Sequence, residues 1–138
     1  MLKPLDLFGP APPKPRAKPV LREGAALVEV MLALKVHPAV AWHQRANSGA
    51  FKVGTRFVRF GWPGCPDLLG QMVDGRFLAV EVKAPDGKLR PEQAAFIALV
   101  RMHGGVAFVA RNLADVRREL ALATYGARLG VTRLETGP

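Results

Sequence analysis

The sequence predicts a single α/β domain, and three observations carry that expectation. The length is 138 residues, segments of helical and strand periodicity follow one another, and Asp74-Gly75 supplies a strong hairpin signal in mid-chain. A chain of this size can bury a core without disulfides or structural metal. Its usage, 49% apolar and 22% charged, is that of an ordinary globular domain, which leaves the arrangement of the elements as the informative feature.

Taken in order, residues 1–22 hold Pro4, Pro10, Pro12, Pro13, Pro15 and Pro19 among Lys3, Lys14, Arg16, Lys18 and Arg22, with Asp6 the only acid. Proline at this density blocks helix and ladder hydrogen bonds, which predicts a flexible basic arm. Loose contact with nucleic-acid backbone and simple solubilisation are both open for it. From Glu23 to about Val36, the apolar Leu27, Val30, Met31 and Leu34 recur at helical spacing, and His37-Pro38 ends the helix. Val40 begins a short strand, and the alternation in Phe51–Phe60 predicts one further extended segment. Leu68–Val73 and Arg76–Val82 flank Asp74-Gly75, which predicts a two-residue turn with both central residues at positive φ. Pro91 opens a second helix through Phe96, Ile97 and Val100, and Gly104-Gly105 stops it. Val106–Ala110 is a short buried strand, and Asn112 caps a last helix carrying Val116 and Leu120. The folded domain is expected over 23–122, with a tail over 123–138.

Charge narrows the partners. Against 11 Asp and Glu stand 20 Lys and Arg, a formal +9, which suits a polyanion such as nucleic acid. The one cysteine, Cys65, forms no internal disulfide, and no His/Cys spacing suggests structural zinc. No run approaches the ~20 apolar residues of a membrane span, and the N-terminus lacks the apolar core of a secretory signal. A cytoplasmic protein, bacterial or in a phage-infected host, is the expectation, with no membrane partner.

The chemistry is expected at the hairpin. Asp67 and Glu81 lie at nearly equal distances on either side of the turn and are expected to face each other across the strands. Two carboxylates placed so need a compensating charge, which a hard cation such as Mg²⁺ supplies, commonly with one or two carboxylates plus water and phosphate. Lys83, two residues beyond Glu81, shares its face. It could hold or activate an attacking water and offset charge in the transition state, while the Val82 carbonyl completes the metal shell. Glu23 is the favoured helix acid because it lies on the stripe of Leu27, whereas Glu29 points nearly opposite. An exposed acid at a helix start remains the alternative for Glu23.

Gly64-Cys65-Pro66-Asp67, then Glu81-Val82-Lys83, then Gln93 in a helix resemble the VRR-NUC branch of the PD-(D/E)xK nucleases, over residues 23 to about 120. The resemblance implies a restriction-endonuclease-like αβββαβ core, a mixed central sheet flanked by helices. It also implies Mg²⁺ or Mn²⁺ dependence and cleavage of structured DNA, with Holliday-junction or other branched substrates in replication, repair and recombination. By that resemblance Asp67 and Glu81 are metal carboxylates, Lys83 the catalytic lysine, Glu23 the helix acid and Gln93 the residue that orients the centre. Small stand-alone members resemble junction-resolving homodimers, so a homodimer is expected.

Arg45, Asn47 and Ser48, with Lys52, Arg56 and Arg59 after them, read either as phosphate contacts or as a solvated hairpin. Trp62 reads as a packed residue or a base-stacking one, Cys65 as packed, and His37, His43 and His103 as structural or surface groups. Three functions are weighed: a metal-dependent endonuclease, a catalytically silent DNA-binding module of the same fold, and a small anion-binding or protein-interaction domain.

Overall fold

The computed structural model describes residues 19–47 and 49–128. Residues 1–18 of the expected arm, Ser48 and residues 129–138 of the expected tail lie outside the described residues. The elements are α1 (Pro19–Val36), β1 (Val40–Arg45), β2 (Gly49–Val53), β3 (Arg56–Phe60), β4 (Leu68–Met72), β5 (Phe77–Val82), α2 (Pro91–Met102), β6 (Val106–Ala110) and α3 (Leu113–Arg128).

Helix α1 begins at Pro19, four residues before the expected Glu23. The expected α2 start at Pro91 and the Asn112 cap hold: the Asn112 side-chain oxygen accepts from the Asp115 amide at 2.8 Å. Helix α3 runs on to Arg128, past the expected boundary at 122. No helix among the described residues is long and apolar enough to cross a membrane.

Four strands form one mixed sheet in the order β1-β4-β5-β6; the first two pairings are antiparallel and β5–β6 is parallel. The parallel pair needs a crossover, which α2 provides. Setting aside β2 and β3, the path α1-β1-β4-β5-α2-β6 is the expected restriction-endonuclease-like αβββαβ core. Strand β5 is buried on both faces after Phe77, and its alternation sorts its residues between two cores. Leu78, Val80 and Val82 meet Val30 and Leu34 of α1 and Val116 and Leu120 of α3. On the other face Ala79 meets Phe96, Ile97 and Val100 of α2. Full burial of side chains such as Leu34 and Leu120 is worth about 1.5–3 kcal/mol each.

Two turns differ from expectation. Between β4 and β5 the Gly75 amide donates to the Met72 carbonyl at 2.9 Å and the Met72 amide to the Arg76 carbonyl at 2.8 Å, enclosing Val73, Asp74 and Gly75. Of these three, only Gly75 has positive φ, at 94°. This is a three-residue loop with glycine in the left-handed position, not a two-residue turn. The difference bears on the site, because a two-residue turn would shift the register by one and set Asp67 against Val82. As it is, Leu68 pairs with Val80, and Asp67 falls opposite Glu81. The second difference is that Phe51–Phe60 is not one strand. Val53 pairs with Arg56 around Gly54-Thr55, and Gly54 takes φ 60°, so β2 and β3 form a ribbon of their own inserted between β1 and β4.

Candidate metal centre

The Gly64–Asp67 stretch places the first carboxylate. Gly64 has φ 79°, and a Cβ there would overlap the Glu92 backbone carbonyl at the start of α2. Only glycine lets this loop lie so close to that helix. Pro66 is fully buried, and Asp67 emerges where β4 begins. The Asp67 Oδ2 accepts from the Val82 amide at 2.9 Å, so the carboxylate bridges the β4 and β5 ends.

Glu81 sits across from it, 2% exposed, on the face of β5 that meets α2. Its Oε1 accepts from Gln93 Nε2 at 2.7 Å and lies 3.0 Å from Lys83 Nζ. Gln93 is itself oriented, because its Oε1 accepts from the Arg90 amide at 2.9 Å. That bond leaves the amide nitrogen as the end that faces Glu81. The other carboxylate oxygen, Glu81 Oε2, is buried and has no hydrogen-bond partner. A buried carboxylate oxygen left so is costly unless something positive meets it. Burial first, and the Asp67 charge second, push Glu81 up to about 7, against the opposing influence of Lys83.

The third acid comes from α1, on the opposite face of the sheet. Glu23 Oε1 lies 3.8 Å from Lys83 Nζ, and one carboxylate oxygen from each of Glu23, Asp67 and Glu81 falls within 4.8 Å of the others. Three hard oxygen donors, one of them with an unpartnered buried oxygen, fit a divalent cation. Glu29 is engaged elsewhere: its Oε1 accepts from the Leu113 amide at 2.8 Å and serves the start of α3. Lys83 is 9% exposed and its backbone amide donates to the Ala110 carbonyl at 3.1 Å, which fixes it beside β6.

The structure thus brings Glu23, Asp67, Glu81, Lys83 and Gln93 together, with the Val82 side chain in the core and its backbone at the site. Arg45 and Asn47 are exposed and flank Ala46, whose amide donates to the Asp67 carbonyl at 2.8 Å, so both lie along the rim. Lys52 and Arg56 are exposed on the β2–β3 ribbon, which among the described residues pairs with no strand of the sheet that carries Glu81. Sequence reasoning missed the Arg90 amide that sets the Gln93 amide, although a glutamine at the third helical position after the Pro91 start is the signal for such a bond. It also missed the close approach of Gly64 to α2, which the glycine itself could have suggested. Cys65 is packed, and burial raises its thiol above the usual range, with Glu81 and Asp67 adding to the effect. His37 is structural: its Nδ1 accepts from the Ala39 amide at 3.2 Å.

Compared with known proteins, residues 21–113, about two thirds of the chain, match the family model described as the VRR-NUC domain. No curated protein and no solved structure matches.

Proposed function

The chain belongs to the VRR-NUC family, and so carries a nuclease-type domain; from that premise we propose that it is a metal-dependent endonuclease acting on branched DNA. The observation that carries this reading is the unpartnered, buried Glu81 Oε2 within a group of three acids. Glu23, Asp67 and Glu81 would hold Mg²⁺, or Mn²⁺ in its place, together with the Val82 carbonyl. When bound, such an ion polarises the scissile phosphate and makes a water more acidic.

The chain's own groups do the rest. Gln93 holds one Glu81 oxygen and leaves the other, buried and unpartnered, free to take a cation. The Val82 amide fixes the Asp67 carboxylate in the same way. Lys83, between Glu81 and Glu23, is placed to orient the attacking water and to offset charge gathering on the phosphate oxygens. As the water oxygen bonds to phosphorus and gives its proton to bulk solvent, the bond to the leaving sugar oxygen breaks, and that oxygen takes up a proton from solvent. Arg45 and Asn47 on the rim would contact flanking phosphates, and Ser48 is proposed with them from its place in the chain. Two copies would supply the two sites needed to cut both strands of a junction.

The test is cleavage of labelled duplex, flap, single-stranded and four-way junction DNA side by side, with Mg²⁺ and with chelator. The wild type should cut branched DNA only with metal. Asp67→Asn, which keeps an acceptor for the Val82 amide, should fold and not cut. Equal cutting by Asp67→Asn, or cutting in chelator, would overturn the reading.

A further inference from the structure

No described residue of the β2–β3 ribbon belongs to the acid cluster, yet the chain departs from the centre to build the ribbon. Ala46 is bonded to the Asp67 carbonyl on the way out, and Gly61 and Gly64, with φ 84° and 79°, turn the chain back to Asp67. Trp62 anchors this return, its ring edge-on to Phe96 with centroids 4.8 Å apart. Among the described residues, β2 and β3 pair with each other and with no other strand, and no described residue of 49–60 joins either core. A two-stranded hairpin of this kind is marginally stable by itself in water.

Its residue content fits a strand of nucleic acid. Residues 49–60 contain Lys52, Arg56 and Arg59 and no acid. Lys52 and Phe57 are direct cross-strand partners and so share one face. Both are exposed, Phe57 to 72%. An aromatic ring beside a cation on a projecting ribbon offers a stacking surface and a phosphate contact together. Extended backbone rises ~3.4 Å per residue, which sets Phe57 about 10 Å beyond the ribbon's base at Phe60.

We infer that the ribbon grips single-stranded nucleic acid beside the metal centre, with Phe57 stacking on an unpaired base and Lys52 on a neighbouring phosphate. This rests on the nuclease reading and adds a substrate preference to it. Bases inside a duplex are already stacked and offer no free face, so the ring gains only where strands separate, as at forks, flaps and junctions.

The experiment is binding in chelator, where nothing is cut, of full-length wild type, Phe57→Ala, Phe57→Trp and Lys52→Ala to a labelled single strand, a splayed fork and a blunt duplex. Phe57→Ala should weaken single-strand and fork binding about 5- to 100-fold and leave duplex binding within about twofold. Phe57→Trp should restore it, and Lys52→Ala should lower the salt dependence by about one phosphate on the single strand and fork. Unchanged single-strand binding by Phe57→Ala, or equal losses on all three DNAs, would overturn the inference. So would a change from dimer to monomer in Phe57→Ala by sedimentation, which would make the ribbon a contact between copies. Because the readout is binding, a wild type that fails to cut with Mg²⁺ sinks the nuclease reading without bearing on these ratios.

Discussion

Glu81→Gln should make the metal-free protein more stable while destroying its ability to bind metal. The folded protein holds Glu81 at about 7, against 4.5 for the ordinary side chain. At ~1.4 kcal/mol per pH unit, that rise corresponds to roughly 3 kcal/mol by which the fold disfavours the ionised form. The sign follows: a raised folded value means the stability associated with the neutral acid is fully present below 4.5 and is lost as pH rises through about 7. A glutamine in place of Glu81 would keep an oxygen for Gln93 and Lys83, and its nitrogen would stand where the unpartnered Oε2 now does. Some of the gain is offset by burying an amide, so about 1–3 kcal/mol should remain at about pH 8, or roughly 3–10 °C in Tm. Thermal melts in chelator from about pH 4 to about pH 8 measure it. The difference between variant and wild type should shrink towards acid and grow to about pH 8. Adding Mg²⁺ at about 100 times its Kd should then stabilise the wild type by about 2.7 kcal/mol and leave the variant unmoved. A variant that melts below the wild type at the alkaline end in chelator would refute the reasoning, since Glu81 would then be a stabilising anion.

The same geometry fixes other outcomes. Metal affinity measured by calorimetry should rise with pH up to about 7 and then level, because the ion competes with the proton on Glu81. Gln93→Ala should lower cleavage about 10- to 100-fold and weaken metal binding while the fold survives, as loss of a positioning bond to a metal carboxylate does. Glu29→Ala should cost about 1 kcal/mol in denaturant melts and leave cleavage intact, whereas Glu23→Gln should impair cleavage with little change in stability. Gly64→Ala should destabilise by about 1–3 kcal/mol, seen in the same melts, through its φ of 79° and the overlap with the Glu92 carbonyl.

Much of the core is legible in the sequence because its signals are local. The Pro91 start, the Asn112 cap and the burial of Val116 and Leu120 each depend on a few neighbouring residues, and each lies where expected. The pairing of Asp67 with Glu81 is also as expected, although the turn that produces it encloses three residues instead of two. Asp74-Gly75 marks a reversal by its composition, but which residue takes positive φ depends on how the strands pack. The β2–β3 break is harder to see. Gly54-Thr55 is a permissible two-residue turn with glycine first, yet the alternation around it continues unbroken on either side. What periodicity does not reach is the tertiary use of single groups. It places Glu29 nearly opposite the Leu27 stripe, but not at the Leu113 amide, and it gives no sign that Arg90 orients Gln93. The Glu29 bond joins distant parts of the chain through packing, which no short-range pattern encodes, whereas the Arg90–Gln93 bond is local and has its cue in a glutamine three residues after the helix cap.

One ion held by carboxylates from α1, β5 and the entry to β4 is the claim on which the rest depends. Anomalous scattering from crystals soaked in Mn²⁺ tests it most directly. A single strong peak within coordination distance of Glu23, Asp67 and Glu81 is predicted, and it should vanish in Glu81→Gln. A wild-type crystal whose only manganese peaks lie elsewhere, or a peak that survives in Glu81→Gln, would contradict it.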